Sequence, residues 1–162
     1  MSFKKTTSFH AITAPVLPTV HQLNQHYKDL LSPLSLEDFK NLMAMSFYAK
    51  QSYDGKAFLL AFDDAAPYQS QNYQWFQTRY KNFTYIDRVA VDSCLQKHGI
   101  AKAFYDDVTN AAKNAGHSLL CAEVNIKPLN QPSITFHEKM GFEKVDTGNV
   151  RGKTVQYFIK NL

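Results

Sequence analysis

The stretch Val91–Val108 carries the residue types and spacing best suited to binding an anion. An apolar run over Phe83–Val91 predicts a strand, and a short polar turn containing Gly99 separates it from a predicted helix. The helix is indicated by apolar residues at the spacing of one buried face, ending before Gly116: Ile100, Ala103, Phe104, Val108, Ala111, Ala112 and Ala115. The first N–H groups of a helix lack intrahelical partners and lie at the positive end of its dipole, so this turn predicts an anion site.

Two motifs resemble signatures of the GNAT superfamily of N-acetyltransferases. The first is similar to the family's pyrophosphate loop, Q/R-x-x-G-x-G/A, and consists of Gln96, Lys97, His98, Gly99, Ile100 and Ala101. The second, NQPSITFHEKMGF over 130–142, resembles the family pattern N-x-x-A-x-x-F/L-Y-x-x-x-G-F. The two motifs occur in the expected order and about 30 residues apart. From about Ser35 to its end the chain also resembles a bacterial branch of predicted acetyltransferases.

The resemblance implies both a fold and an activity. The fold is α/β, a three-layer α/β/α arrangement with a mixed, centrally splayed sheet of about seven strands, forming a single domain over residues 1–162. The activity is an acetyl-CoA-dependent N-acetyltransferase that moves an acetyl group to the primary amine of a small molecule or peptide by direct transfer in a ternary complex. Acetyl-CoA is then a co-substrate, and we expect no metal.

The resemblance also implies which residues contact the cofactor. The backbone of the strand before the turn would bind the pantetheine arm, one N–H would face the thioester oxygen, and the turn itself would hold the pyrophosphate. The expected cofactor-binding residues are Val89, Ala90, Val91, Gln96, Lys97, His98, Gly99, Ile100, Ala101, Lys102, Asn125, Asn130, Ser133 and Phe136. The helix pair near the N-terminus would help to form the acceptor pocket.

Four residues are candidates for acid and base chemistry. Alternation in the predicted strand Ser118–Asn125 places Glu123 where its carboxylate can act as a base, directly or through a water, with Asp87 and Tyr85 behind it. An ion pair with a neighbouring strand is the structural alternative for Glu123. His137 stands where many family members have a tyrosine that protonates the leaving thiolate, and it either donates a proton or has no role.

The need for a base depends on the acceptor amine. Deprotonating a lysine-like amine of pKa about 10.4 at pH 7 costs roughly 4.6 kcal/mol, whereas an α-amine of pKa about 7.8 costs only about 1.1 kcal/mol. A thiol with pKa about 8.5 leaves readily without a proton near neutral pH. The sequence therefore leaves the acceptor open.

The charge distribution bears on two alternative functions, nucleic-acid binding and acyl-CoA sensing. The net charge is +4, but the 18 Lys and Arg are scattered singly among acidic residues, apart from Lys4 and Lys5. A nucleic-acid-binding protein would concentrate them in a stripe, so we expect no nucleic-acid partner, although a basic nucleic-acid-binding protein stays a minor alternative. Lys97, His98 and Lys102 surround the anion site and suit coenzyme A. A second alternative is an acyl-CoA-binding or sensing module without turnover.

The remaining composition indicates a cytoplasmic protein without a membrane partner. No apolar run reaches the length of a membrane span, and MSFKKTTSF at the start lacks the apolar segment of a signal peptide. Cys94 and Cys121 have no metal-ligand or disulfide spacing, which is typical of reduced thiols. A homodimer is possible.

The other predicted elements support this fold. Ser8–Thr13 and both sides of Asp54-Gly55 read as strands, as does the pair within 142–162 that closes the sheet. Helices are predicted from Val16 to Leu31, with Tyr27 on the apolar face, from Ser35 to Phe47 and over 130–140. The segment Asp63–Phe83 is rich in aromatic and amide residues, and we interpret it either as a short helix packed on the sheet or as a lid or dimer contact.

Overall fold

The computed structural model describes residues 7–162. Within that range the chain forms seven strands and six α-helices. The strands are β1 His10–Ala11, β2 Tyr48–Ser52, β3 Ala57–Asp63, β4 Phe83–Val91, β5 Leu119–Lys127, β6 Glu143–Val150 and β7 Lys153–Asn161. The helices are α1 Leu17–His26, α2 Lys28–Leu31, α3 Leu36–Met45, α4 Gln71–Gln77, α5 Ile100–Asn114 and α6 Gln131–Lys139.

The strands form a mixed seven-stranded sheet in the order β1-β2-β3-β4-β5-β7-β6. β2 pairs antiparallel with β1 and β3, and β7 pairs antiparallel with β5 and β6. β4 and β5 are parallel, with Phe83–Tyr85 opposite Leu119–Cys121. The expected mixed α/β architecture with about seven strands is confirmed.

The hairpin between β2 and β3 follows from its turn residues. Tyr53, Asp54 and Gly55 have φ values of 54°, 55° and 86°, the left-handed conformation that Asp and Gly adopt most readily in tight turns. The Gln51 side chain accepts a hydrogen bond from the Gly55 N–H at 2.9 Å and closes the turn. The predicted hairpin at Asp54-Gly55 is therefore confirmed.

The described chain divides into two compact units. Unit 1 comprises the described residues up to Ala61 together with Arg88–Val108, and unit 2 comprises Phe62–Asp87 and Thr109–Leu162. In unit 1, Phe39 of α3 is fully buried against Phe58 of β3, with their rings edge to face at 5.7 Å.

Unit 2 contains the aromatic segment that the sequence left open between two interpretations. Its centre is helix α4, which buries Tyr73 and Phe76 completely. The Tyr73 ring contacts Phe62, Phe83 and Tyr85 at centroid distances of 6.2, 6.0 and 5.5 Å. The prediction of a short packed helix is confirmed, and a lid or dimer contact stays a prediction.

Among residues 7–162, no helix has the length and apolar character needed to cross a membrane.

The buried tyrosines predict loss of stability in alkali. Burial raises the pKa of Tyr73 to about 12, and burial also raises the pKa values of Tyr48 and Tyr85 above 10. The native state then keeps protons that the unfolded chain releases, so the stabilisation is complete below pH ~10 and is lost as pH rises beyond it.

A titration that follows phenolate absorbance and far-ultraviolet circular dichroism together tests this expectation. Tyr48, Tyr73 and Tyr85 should ionise only together with the loss of far-ultraviolet circular dichroism. Ionisation of all nine near pH 10 with an unchanged dichroism spectrum would contradict the burial described here.

Candidate active site

The predicted anion site lies where β4 ends and α5 begins, within unit 1. The Asp92 N–H donates to the Lys56 carbonyl at 2.8 Å, and the Asp92 side chain accepts from the Cys94 N–H at 3.0 Å. This bond starts a short 3-10 turn over Ser93–Leu95. The chain then reaches Gly99, whose carbonyl accepts the first helical hydrogen bond of α5, from Ala103 at 3.0 Å.

The backbone before α5 adopts a conformation that few residues tolerate. Lys97 and Gly99 both have left-handed φ values, 67° and 74°. A Cβ atom built on Gly99 meets nothing within 4 Å, so the space beside the turn is open. The first N–H groups of α5 are left for a ligand, as at any helix start. The turn therefore has the conformation and the open face that a phosphate group needs.

The side chains of this turn contribute unequally. Ile100 is 3% exposed, so only its backbone is available to a ligand. Lys97 and His98 are exposed. The Lys102 ammonium lies 2.8 Å from the Asp106 carboxylate, one helical turn away, and part of its charge is compensated there.

Gln96 forms bonds within the protein. Its Nε2 donates to the Tyr27 hydroxyl at 2.9 Å and to the Val91 carbonyl at 3.2 Å. The Tyr27 hydroxyl in turn donates to the same carbonyl at 3.0 Å. Sequence reasoning placed Tyr27 only on the apolar face of a helix and missed these contacts, because no local pattern indicates a partner 64 or 69 residues away.

From Ile86 to Val91, strand β4 alternates between buried and half-buried residues. Val89 and Val91 are half-buried, whereas Ala90 is 6% exposed. Arg88 shares the buried face and is also 6% exposed, and its guanidinium donates to the Asn24 side chain of α1 at 3.0 Å. A buried arginine is unusual unless its charge is hydrogen-bonded, and this bond satisfies part of that requirement.

Glu123, in unit 2, is hydrogen-bonded to two side chains. Its Oε1 accepts from the Tyr85 hydroxyl at 2.8 Å and from the Asn72 amide at 3.4 Å. Tyr85 is fully buried, and burial, followed by the nearby charges of Glu123 and Asp87, raises its pKa well above 10. Tyr85 is therefore a permanent donor to Glu123, and the carboxylate is held in one orientation.

Further contacts extend this cluster in unit 2. The Asp87 carboxylate accepts a hydrogen bond from the Tyr68 hydroxyl at 2.9 Å. The Asn72 Oδ1 accepts from the Tyr157 hydroxyl at 3.0 Å, and the Tyr157 ring stacks on Trp75 at 4.0 Å. Two residues of the aromatic segment thus donate hydrogen bonds to the candidate carboxylates: Asn72 to Glu123 and Tyr68 to Asp87. Asn72 and Tyr157 are contacts of the cluster that sequence reasoning missed.

His137 lies inside unit 2. It is 4% exposed, its Nδ1 is 2.7 Å from the Ser133 carbonyl oxygen, and its ring stacks on Phe158 at 5.5 Å. Burial lowers the pKa of His137 below its ordinary value of 6.5. The imidazole is therefore neutral near pH 7, and Nδ1 carries the proton that it donates to the Ser133 carbonyl.

The remaining candidates of the second motif help to start helix α6. The Asn130 Oδ1 accepts from the Ser133 N–H at 3.3 Å, which makes Asn130 the N-cap, and the Asn130 N–H donates to the Asn125 carbonyl at 3.0 Å. Phe136 is half-buried with its ring edge on to His137 at 5.3 Å. No group of three or more His, Cys, Asp or Glu side chains within residues 7–162 is arranged to hold a metal ion.

Solved acetyltransferase structures share this fold. Ard1 from Thermoplasma volcanium has a TM-score of 0.74 and 14% identity, covering 97% of this chain and 98% of that chain. The ribosomal-protein-S18-alanine N-acetyltransferase from Escherichia coli has a TM-score of 0.70 and 15% identity, covering 96% and 93%. Arabidopsis thaliana NAA60 in complex with acetyl-CoA has a TM-score of 0.69 and 20% identity, covering 97% and 100%. At such identities the likeness shows the fold alone.

The sequence comparisons give the family. A search of curated protein sequences finds no match. The model of the Acetyltransferase (GNAT) family matches residues 24–142, well over half of the chain, and this range holds the turn at Gly99, Glu123 and all of helix α6. On this match the chain belongs to the GNAT acetyltransferase family, and its general chemistry is acetyl transfer.

Proposed function

We propose that this protein transfers the acetyl group of acetyl-CoA directly to the primary amine of a small molecule or peptide, with Glu123 as the base. The observation that carries the proposal is the half-buried Glu123 carboxylate, held 2.8 Å from the fully buried Tyr85 hydroxyl. A carboxylate fixed by a donor that never ionises near neutral pH is suited to accepting a proton at one position.

The turn before α5 supports acetyl-CoA as the donor. Acetyl-CoA supplies an acetyl group activated as a thioester, together with a pyrophosphate that a helix start can hold. In this proposal the backbone N–H groups at the start of α5 bind the pyrophosphate. The left-handed backbone at Lys97 and Gly99 and the open space beside Gly99 permit that approach. Lys97, which is exposed, adds positive charge.

Strand β4 contributes its backbone to the cofactor in this proposal. The Val91 carbonyl already accepts hydrogen bonds from Tyr27 and Gln96 within the protein. A carbonyl oxygen has two lone pairs, so this atom has no further strong acceptor site. Contacts with the pantetheine arm therefore fall to other backbone groups of Val89, Ala90 and Val91.

Proton transfer is assigned to Glu123 because amines of the lysine type are almost entirely protonated at pH 7. Removing that proton costs about 4.6 kcal/mol for a pKa of about 10.4. Tyr85 cannot take the proton, because its raised pKa keeps its own proton in place and its hydroxyl donates to Glu123. Asn72 adds a second donor at 3.4 Å and orients the same oxygen.

The departing thiolate needs no acid from this chain. A thiol of pKa about 8.5 is a good leaving group near neutral pH. His137 is buried and neutral, and its Nδ1–H is committed to the Ser133 carbonyl. We therefore assign His137 a structural role and leave the thiolate to take its proton from solvent.

A protein N-terminus is the first acceptor class to test. The Escherichia coli protein of similar fold is named for acetylating an alanine of ribosomal protein S18. An α-amine of pKa about 7.8 loses its proton far more easily than a lysine side chain. The dependence on Glu123 therefore reports the acceptor class, since a lysine-like amine needs the base and an α-amine hardly does.

The proposed base is tested with Glu123→Gln, which keeps the shape of the side chain and removes the proton acceptor. With a panel of α-amine and lysine-like acceptors, acetyl-CoA and a thiol-reactive dye, we expect wild-type protein to release coenzyme A only in the presence of an acceptor. For a lysine-like acceptor the variant should lose roughly 10²- to 10⁴-fold in rate at pH 7 and recover partly at pH 9, where more amine is neutral.

Glu143→Gln is the matched control, because Glu143 is exposed on strand β6. It should leave the rate unchanged. Losses in Glu123→Gln that do not vary with pH would mean that Glu123 orients the acceptor instead of taking its proton. Binding of acetyl-CoA without acceptor-dependent thiol release would support a sensing module and contradict the enzyme.

The cofactor turn is tested with Gly99→Glu. A side chain there fills the open space beside the turn with negative charge, so we expect binding of coenzyme A to fall below detection by isothermal titration calorimetry. Gly116→Glu is the matched control, because Gly116 ends α5 with φ 80° and also has nothing within 4 Å of a built Cβ. Both variants carry similar backbone strain, so unchanged affinity in Gly99→Glu would contradict the assignment.

The structural role of His137 is tested with His137→Phe. We expect its rate at pH 7.5 to stay within about threefold of wild type, because no proton donor is lost that the reaction needs. The lowered pKa keeps the imidazole of His137 neutral in the native state. The buried neutral ring therefore stabilises the native wild-type protein above pH ~6.5, and this stabilisation is lost as pH falls below that value. The free energy of unfolding in urea should therefore fall less between pH 7.5 and pH 5.5 in the variant than in wild type. A rate loss above 100-fold with normal coenzyme A affinity would instead make His137 the acid.

A further inference from the structure

Three groups of unit 1 form a closed hydrogen-bonded triangle, which we call the Tyr27 bridge. It consists of the Tyr27 hydroxyl, the Gln96 Nε2 and the Val91 carbonyl oxygen, at mutual distances of 2.9, 3.2 and 3.0 Å. Both N–H bonds of the Gln96 amide nitrogen and the hydroxyl hydrogen of Tyr27 are used inside the triangle. The amide nitrogen of Gln96 therefore has no hydrogen left for a phosphate oxygen.

Tyr27 stands at the joint between α1 and α2. Its N–H donates to the Leu23 carbonyl at 3.3 Å, as the last bond of α1. Its own carbonyl accepts from Leu30 and Leu31, both at 2.9 Å, as the first bonds of α2. The backbone of Tyr27 is therefore hydrogen-bonded to both helices, while its side chain belongs to the bridge.

The α1–α2 segment has other attachments within unit 1. Buried Arg88 holds Asn24 at 3.0 Å, and Asn24 donates to the Ser32 carbonyl at 3.2 Å. The Gln25 side chain accepts from the Leu34 N–H at 3.0 Å. These bonds lie within unit 1 and involve no atom of the turn at 96–99. Among these contacts, the Tyr27 bridge is the one that a ligand on the turn can reach.

We propose that Tyr27 is a positioning residue that couples coenzyme A binding at the turn to the order of the α1–α2 segment. The proposal rests on the proposed function and adds to it, because Gln96 then acts through Tyr27 and not as a direct phosphate ligand. Binding at the turn fixes Gln96, Gln96 fixes the Tyr27 hydroxyl, and Tyr27 fixes the joint between the two helices. The α1–α2 segment is thereby ordered before an acceptor arrives.

A double-mutant cycle on coenzyme A affinity tests this linkage. Tyr27→Phe removes only the hydroxyl, and Gln96→Leu removes only the amide. Each single variant should weaken binding of coenzyme A about 3- to 10-fold by isothermal titration calorimetry, and the double variant should bind no more weakly than the weaker single variant. Losses that multiply in the double variant would show that Gln96 binds the cofactor independently of Tyr27, and the proposal would be wrong.

Tyr48→Phe is the matched control. It removes a hydroxyl that donates to Asp107 at 2.7 Å, also within unit 1, and it involves no atom of the bridge. Its affinity for coenzyme A should equal that of wild type. A loss equal to that of Tyr27→Phe would show that any lost tyrosine hydroxyl in unit 1 weakens the site, which contradicts a specific bridge.

Hydrogen exchange separates coupling from simple affinity. Saturating coenzyme A should slow exchange both in peptides covering the start of α5 and in peptides covering residues 27–34 of wild-type protein. In Tyr27→Phe, also saturated, protection at α5 should remain and protection at 27–34 should be lost. Gln96→Leu provides the same comparison if Tyr27→Phe folds poorly. Equal protection of 27–34 in wild type and variant would overturn the coupling, whereas wild-type protein that binds no coenzyme A would contradict the proposed function as well.

Discussion

The left-handed backbone between β4 and α5 is the constraint on which the candidate cofactor site depends. A helix start binds an anion only if the preceding chain turns aside and leaves the first N–H groups facing open space. Two residues with positive φ, Lys97 and Gly99, make that turn within three positions. At Gly99 the conformation costs little because no Cβ is present, whereas at Lys97 it is strained. Strain at such a position is tolerated when surrounding contacts hold it, and the hydrogen bonds of Asp92 and Gln96 are located beside it.

A second constraint is the burial of charge near Glu123. Removing a carboxylate from water is costly unless hydrogen bonds replace its hydration, and Tyr85 and Asn72 supply two of them. The arrangement also determines the state of Tyr85, because adjacent negative charge and burial act in the same direction on its pKa. Tyr85 therefore acts as a donor to the carboxylate near neutral pH. Tyr85 and Glu123 are therefore hydrogen-bonded near neutral pH without the proton moving from the phenol to the carboxylate.

The sequence predicts elements well where the signal is local. The observed bounds of β4 are those of the apolar run Phe83–Val91, and the hairpin at Asp54-Gly55 follows from its turn residues. Asp87 and Arg88 lie on opposite faces of β4, as the alternation of a strand requires. Such features depend on a few neighbouring residues, and their hydrophobic periodicity and turn preferences can be read directly from the sequence.

Hydrogen bonds between residues far apart in the sequence cannot be predicted from local patterns in this way. The Tyr27 hydroxyl meets Val91 across 64 positions, and Tyr157 meets Asn72 across 85. Periodicity assigns Tyr27 to an apolar face, but a phenol ring can lie in that face while its hydroxyl reaches a distant acceptor. The direction of Glu123 could be inferred from strand alternation, whereas its donor Asn72 comes from a segment with no period that fixes its partner.

The second motif departs from the family pattern at two positions that lie in contact with each other. Ser133 stands where the pattern has alanine, and His137 stands where it has tyrosine, one helical turn later. The structure places these two residues in contact, with Nδ1 2.7 Å from the Ser133 carbonyl and 3.4 Å from the Ser133 hydroxyl. The imidazole is thereby directed along its own helix and packed on Phe158. A ring of different shape thus occupies the motif position, contributes to the core and is held neutral by its burial. In the proposed reaction a thiolate of ordinary basicity leaves unaided, so packing and not catalysis would decide the residue at this position.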